Sequence, residues 1–230
     1  MIQILEDYIC KSLPEWGDFS TNPNLAKKVN HTGMFLPFYG NTVVFDLDHD
    51  TKLALQSLQE ELYRSAGWML SQRLDPATFH MTLHDLVNGS ELSDALLHPM
   101  EEAKKKAMPM LAQWRGQAPL RMKTTWLFNM VNTSIVLGLA PADEDSWQRL
   151  DAMYTALESV VPLSYALTPH ITMAYFKPGT YTQYDLNCLN PALHPVGLEV
   201  ALSFEDLSYQ EFWDMNHYEA KACGRKYQDE

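Results

Sequence analysis

Two short stretches decide how this chain is interpreted: Phe79-His80-Met81-Thr82-Leu83 and Pro169-His170-Ile171-Thr172-Met173. Each contains a histidine, an apolar residue, a threonine and a second apolar residue. Successive side chains of a β-strand point to opposite faces, so the histidine and threonine of each stretch share one face and the apolar residues enter the core. The pattern predicts two strands that each present an imidazole beside a hydroxyl.

The residues around the two motifs follow the same predicted order of strand, helix and strand. The strands and helices are expected at 41–47, 55–66 and 77–86 in the first half, and at 132–137, 143–161 and 168–176 in the second. Asn41-Thr42 and Asn132-Thr133 precede their histidines by nearly the same interval. We therefore predict a duplicated unit whose two halves pack as one body.

The remaining regular elements are predicted with less help from the motifs. Residues 91–115 are expected to be helical, with breaks at Pro99 and Pro109 because proline lacks the N–H that a helix interior needs. Strict alternation over 198–204 predicts a half-buried strand. Residues 1–38 read as a short helix followed by loop, and the polar end of the chain reads as a loose tail.

Composition limits the possible partners. The chain has 230 residues, of which 46% are hydrophobic, so a sizeable core is available. The net charge of −12 disfavours binding along duplex DNA, which depends on Lys and Arg, but allows a small nucleotide or an RNA end as substrate. The three scattered cysteines and the absence of a membrane-length apolar stretch predict a reduced, cytoplasmic protein that binds no membrane. We expect it to be a monomer.

Two imidazole–hydroxyl pairs suit chemistry at a phosphodiester. Histidines with ordinary pKa values near neutrality can supply one base and one acid, as in-line displacement at phosphorus requires. Threonine hydroxyls can donate hydrogen bonds to the non-bridging oxygens, where charge develops. His80 and His84 would form a metal pair on a helix but lie too far apart on a strand, so we predict no metal and no cofactor.

The paired motifs resemble those of the 2H phosphoesterases, the LigT-like family, over about residues 40–210. The resemblance implies an α+β fold that is bilobal with a pseudo-two-fold axis, in which two antiparallel sheets line a central cleft and helices lie outside. It also implies that His80 and His170 are the acid–base pair and that Thr82 and Thr172 bind the phosphate. The expected parts are a 1–38 extension, a 39–212 domain and a 213–230 tail.

Members of that family open 2′,3′-cyclic phosphates, hydrolyse 2′,5′-linked oligonucleotides or related cyclic nucleotides, or join RNA ends through a 2′,5′ linkage. The resemblance therefore implies a metal-independent phosphodiesterase. Two alternatives stay open, a 2′,5′ RNA ligase and a nucleotide-binding module without catalysis. The acidic charge counts against the ligase, because grasping long RNA calls for a basic groove.

Three further residues are candidates for contacting the substrate. His84 follows Thr82 along the strand and could add a donor to the cleft, although such a histidine is more often structural. Lys177 follows the second motif and could supply a cation, but it reads equally well as a surface lysine. Tyr39 precedes the first strand and could stack on a base, or it could belong to the core.

Overall fold

The computed structural model describes residues 13–223. Any part of the short helix predicted near the start of the chain that precedes residue 13 lies outside this range. The strands of the described part are β1 (Phe19–Ser20), β2 (Tyr39–Asp46), β3 (His80–Gly89), β4 (Leu120–Met130), β5 (Ser134–Pro141), β6 (His170–Tyr175), β7 (Thr180–Tyr181), β8 (Glu199–Leu202), β9 (Leu207–Asp214) and β10 (His217–Cys223). The α-helices are α1 (His49–Ala66), α2 (Asp94–Trp114), α3 (Glu144–Glu158) and α4 (Gln183–Leu189). Short 3₁₀ helices occupy Pro23–Lys27, Gly67–Met69, Pro76–Thr78 and Asn190–Ala192.

One eight-stranded antiparallel sheet organises the fold, with the order β10-β9-β2-β3-β6-β5-β4-β8, and β1 pairs separately with β7. Its two halves are joined through β3 and β6, where Met81 pairs with Ile171. The two predicted sheets are thus hydrogen-bonded into one at this pair. We call β10-β9-β2-β3 the first half-sheet and β6-β5-β4-β8 the second. The α+β fold class is confirmed, and each half-sheet carries one of the predicted strands with a His-Thr motif.

The duplicated order is present as β2-α1-β3 and β5-α3-β6. Each motif strand contains a bulge, and the residue pairs beside the two bulges show which positions of the two halves correspond. Val43 pairs with His84 in the first half, and Ile135 pairs with Ala174 in the second. The two Asn-Thr dipeptides are not equivalent. Asn41-Thr42 lies within β2, whereas Asn132 lies in the turn before β5. The duplication is real, but the dipeptide that suggested it is coincidental.

Helix α2 runs without interruption through both prolines, so the predicted breaks are wrong. Its buried residues are Leu96, Met100, Ala103, Ala107 and Leu111. Pro99 and Pro109 lie on the exposed side of the helix. Packing of the apolar face on β3 and β9 therefore outweighs the hydrogen bonds that the prolines remove.

Both predicted terminal segments contribute to the folded domain. Phe19, Leu25 and Val29, which belong to the predicted extension, are buried in the same core as the sheet. The segment predicted as a tail contains β10, which forms the edge of the sheet next to β9. An edge strand with one solvated face needs few apolar residues, which is why its polar composition suggested a tail.

Candidate active site

A cavity of about 490 Å³ lies between the two half-sheets, and it is lined by all four residues of the two His-Thr pairs, His80, Thr82, His170 and Thr172. The intervening residues Met81 and Ile171 are fully buried. The alternation of faces is therefore as expected from the sequence. Because Met81 and Ile171 pair across the junction of the half-sheets, the flanking residues are neighbours on the cavity face: His80 lies beside Thr172, and Thr82 beside His170.

The two histidines are oriented by equivalent hydrogen bonds. His80 Nδ1 lies 2.7 Å from the carbonyl oxygen of Thr78, and His170 Nδ1 lies 2.7 Å from the carbonyl oxygen of Thr168. A carbonyl oxygen only accepts, so each Nδ1 carries a proton and donates it. The other ring nitrogen, Nε2, is then the atom that can take up or release a proton for a ligand.

Burial lowers the pKa of both histidines below the ordinary value of 6.5. For His80 the loss of hydration is opposed by the Thr78 carbonyl and by the negative charges of Asp46 and Asp85, while His170 adds to the lowering. For His170 the opposing groups are the Thr168 carbonyl and Asp85. The two imidazoles thus resemble each other chemically, but Asp46 acts on His80 alone.

Both motif strands contain a bulge just after the threonine. In β3, Thr82 and His84 pair with the adjacent residues Val44 and Val43. In β6, Thr172 and Ala174 pair with adjacent residues of β5 in the same way. An extra residue of this kind reverses the alternation of faces beyond it. The residues three positions after the threonines, Asp85 and Tyr175, therefore line the cavity.

The bulge also explains the position of His84, which borders the cavity with only 1% of its surface exposed. Its Nδ1 is hydrogen-bonded to the carbonyl oxygen of Asp85, and its Nε2 lies 3.0 Å from Glu158 Oε1. Glu158 in turn accepts a hydrogen bond from the backbone N–H of Leu163. Both ring nitrogens are engaged by protein acceptors, so His84 holds the loop before β6 in place and has no donor free for a substrate.

Lys177 and Tyr39 lie outside the cavity lining, contrary to expectation. The stem of Lys177 lies against Gly33, where an added Cβ would come within 2.8 Å of Lys177 Cε. Tyr39 is the first residue of β2, paired with Gly89, and the preceding Phe38 faces the cavity instead. A shift of one residue along an extended chain is enough to exchange the two faces.

The cation of the cavity is Lys28, from the segment predicted as an extension. Its Nζ lies 4.8 Å from the ring centre of Phe38 and 5.9 Å from that of Tyr175. Burial lowers the pKa of Lys28, and the charge of Asp85 opposes this effect. Nothing in the local sequence around Lys28 indicates this role, because only the packing of residues 19–38 brings the side chain to the cavity.

Tyr218 of β10 and Tyr165 of the loop before β6 complete the aromatic part of the wall. The ring of Tyr218 meets the imidazole of His80 edge-on, with 5.0 Å between the ring centres. The hydroxyl of Tyr165 donates to Asp85 Oδ2 over 3.1 Å. Asp85, Tyr165, Tyr175 and Tyr218 are not among the residues predicted from the sequence. Simple alternation would place Asp85 and Tyr175, five residues after the motif histidines, on the opposite face, so no signal in the sequence indicates them.

Residues 13–223 contain no group of three or more His, Cys, Asp or Glu side chains arranged to hold a metal ion. In the same range, no helix combines the length and the apolar character that crossing a bilayer requires.

Comparison with known proteins identifies the architecture. Escherichia coli LigT in complex with 3′-AMP matches over 80% of this chain and 96% of its own, with a TM-score of 0.51 and 13% identity. This chain has a LigT-like fold. The apo form of LigT matches over 80% and 95%, with a TM-score of 0.50 and 15% identity. The predicted resemblance to the 2H phosphoesterases is thereby confirmed at the level of the fold.

The structure of a different protein matches this chain over more of its length. A conserved protein of unknown function from Agrobacterium tumefaciens matches over 95% of this chain and 98% of its own, with a TM-score of 0.65 and 17% identity. No protein-family model and no curated protein sequence matches the chain.

Proposed function

We propose that the chain is a metal-independent phosphodiesterase that hydrolyses a 2′,3′-cyclic phosphate, a 2′,5′-linked oligonucleotide or a related cyclic nucleotide. The observation that carries the proposal is the presence of two histidines in one cavity, each with Nδ1 bonded to a backbone carbonyl and Nε2 left for the substrate. Such a pair can accept one proton and donate another in a single displacement.

In the proposed reaction, one imidazole removes a proton from water through Nε2 as the water oxygen attacks phosphorus. The other, protonated at Nε2, gives its proton to the ribose oxygen as the P–O bond breaks. The hydroxyls of Thr82 and Thr172 donate to the non-bridging oxygens and stabilise the charge that builds up on them. The substrate's negative charge favours the protonated form of the acid, which offsets the effect of burial on its pKa.

Two features bear on the substrate. LigT, whose fold this chain shares, has been crystallised with 3′-AMP, a nucleotide with a 3′-phosphate. The net charge of −12 disfavours a long RNA and leaves a mononucleotide or a short oligonucleotide as the better candidate. The 2′,5′ RNA ligase and the nucleotide-binding module without catalysis remain the alternatives.

The test compares hydrolysis of 2′,3′-cyclic nucleotides and 2′,5′-oligoadenylate by the wild type and by His80→Ala and His170→Ala. Each substitution removes a general acid or base, so we expect a loss of about 10²- to 10⁴-fold. Circular dichroism and thermal unfolding control for folding. Chelation by EDTA should leave the wild-type rate unchanged, because both protons are carried by imidazoles.

Full activity of either variant would contradict the assignment. Loss of activity with EDTA, restored by zinc or manganese, would replace it with a metal mechanism. Binding of a nucleotide without turnover would select the binding module, and joining of RNA ends in preference to hydrolysis would select the ligase.

A further inference from the structure

The two motif strands differ at the residue that follows each bulge. Five residues after the motif histidine, the first half-sheet has Asp85 and the second has Tyr175, and both line the cavity. The histidines and threonines before them are the same in both strands. The cavity therefore has two equivalent catalytic pairs but only one carboxylate at this level, so its two ends offer a substrate different chemistry.

Asp85 is held in place and still has acceptor capacity. Tyr165 donates to its Oδ2. Within residues 13–223, no hydrogen bond to Oδ1 and no ion pair of the carboxylate is found. Each carboxylate oxygen accepts more than one hydrogen bond, so both oxygens remain able to accept from a ligand. A charged acceptor inside a cavity is costly unless a donor reaches it, which favours a ligand group rich in N–H.

Lys28 supplies a donor near this carboxylate. It is positioned by the rings of Phe38 and Tyr175 and feels the charge of Asp85. Across the described residues, Lys28 makes no ion pair, so the two opposite charges face the cavity without neutralising each other directly. A ligand in this part of the cavity would meet both a cation and a carboxylate.

We propose that Asp85 selects the base of the substrate and that the preferred base is guanine. The inference rests on the proposed function, because it assigns a nucleotide to the cavity. Guanine presents two adjacent donors, N1–H and the 2-amino group, to the two oxygens of a carboxylate, and its O6 accepts from Lys28. Adenine, cytosine and uracil each offer a carboxylate a single donor group at that edge.

The reach along β3 fits this arrangement. Asp85 lies three positions after Thr82, which binds the phosphate in the proposed function, and three positions along a strand span at most about 10 Å. The phosphate and the base edge of one nucleotide can therefore be held from the same strand.

The experiment measures binding of 3′-GMP, 3′-AMP, 3′-CMP and 3′-UMP by calorimetry to the wild type and to Asp85→Asn. We expect the wild type to bind 3′-GMP about 10- to 100-fold more tightly than the others, the discrimination typical of a bidentate base contact. Asp85→Asn replaces one acceptor with a donor and should reduce this preference to about threefold or less, mainly by weakening 3′-GMP.

Asp46→Asn is the matched control. Asp46 also acts on His80 through its charge, but it pairs with Lys52 at 2.7 Å and does not line the cavity. It should therefore keep the guanine preference. Equal loss of preference in both variants, or equal affinity of all four nucleotides for the wild type, would overturn the inference and leave Asp85 an electrostatic role only.

Hydrolysis of the four 2′,3′-cyclic nucleotides, measured in parallel, separates this inference from the proposed function. Turnover at equal rates for all bases, with equal binding, would support the phosphodiesterase and overturn the role of Asp85. Guanine-selective binding without turnover would support Asp85 and overturn the phosphodiesterase. If the protein neither binds nor hydrolyses any of these nucleotides, both the phosphodiesterase and the role of Asp85 are overturned.

Discussion

The motif strands of the two half-sheets share their histidine and threonine and differ in the residues that follow them. Both hold the histidine by a carbonyl two residues earlier, both place threonine on the cavity face and both bulge after it. Within the bulge, the first strand has the hydrogen-bonded His84 and the second has the buried Ala174. Beyond it, Asp85 corresponds to Tyr175.

These differences matter because the proposed reaction is not symmetric. One imidazole must start neutral and the other protonated, although the same hydrogen bond orients both. The electrostatic surroundings are unequal, since Asp46 favours the protonated form of His80 and does not act on His170. The equivalent hydrogen bonds of the two half-sheets present two similar Nε2 atoms to the cavity. The charge of Asp46, which acts on only one of the two histidines, is what could give them different roles.

The largest effect is expected in an experiment that shows which half-sheet provides the general acid. A 4-nitrophenyl ester of a nucleoside 3′-phosphate has a leaving group that departs without a proton. The alanine variant of the acid histidine should lose about 10²- to 10⁴-fold on a cyclic nucleotide and stay within about 10-fold of wild type on the ester. The variant of the base should lose activity on both substrates, as steady-state rates would reveal.

His80→Ala and His170→Ala serve as each other's controls in this experiment. Equal losses of the two variants on both substrates would mean that the half-sheets do not divide the roles of acid and base.

A smaller effect is expected in the pH dependence. Because burial lowers the pKa of both histidines, the optimum of kcat/KM should lie below pH 6.5. A base is active above its pKa and an acid below it. Asp46→Asn removes a charge that raises the pKa of His80, so one limb should move to lower pH: the acidic limb if His80 is the base, the alkaline limb if it is the acid.

The limb that belongs to His170 should stay in place in Asp46→Asn, as pH–rate profiles over the range from 4 to 9 would show. Movement of both limbs together would mean that Asp46 acts on the cavity as a whole, and the electrostatic difference between the half-sheets would then disappear.

The smallest effect concerns the turn that starts the second duplicated unit. Val131 and Asn132 between β4 and β5 have φ values of 46° and 60°, a conformation that a β-branched residue adopts only under strain. Asn132 holds this turn in place: its carbonyl oxygen accepts a hydrogen bond from the backbone N–H of Asn22, and its side-chain amide donates to the carbonyl oxygen of Ser20. Because asparagine tolerates positive φ better than valine does, Val131→Asn should raise the free energy of unfolding by about 1 kcal/mol, as measured by denaturant titration.

Val131→Ala is the control, because alanine has a Cβ, which makes positive φ unfavourable, and lacks the polar side chain by which asparagine stabilises this conformation. If both variants change the free energy of unfolding equally, relief of backbone strain is not the cause. In the first duplicated unit, β2 pairs with β3 and β9, and the described residues before it contain no counterpart of this turn.

The residues of the motifs could be predicted because they depend on local alternation alone. His80 and Thr82 share a face in any straight strand, and the same holds for His170 and Thr172. The partners of His84 could not be predicted, because the bulge reverses the alternation after Thr82 and a bulge has no signature in the residues themselves. The prolines of α2 were misjudged because the burial of an apolar face decided the helix.

Three features can be obtained from the amino-acid sequence alone: the two imidazole–hydroxyl pairs, the duplicated order of strand, helix and strand, and the net negative charge of the molecule. These follow from side-chain periodicity and charge, which act within a few residues or add up over the whole chain. The tertiary structure alone decided that Lys28, Asp85 and Tyr218 meet beside those pairs. They come from segments distant in the chain or displaced by a bulge, and only the burial of the common core fixes where such segments lie.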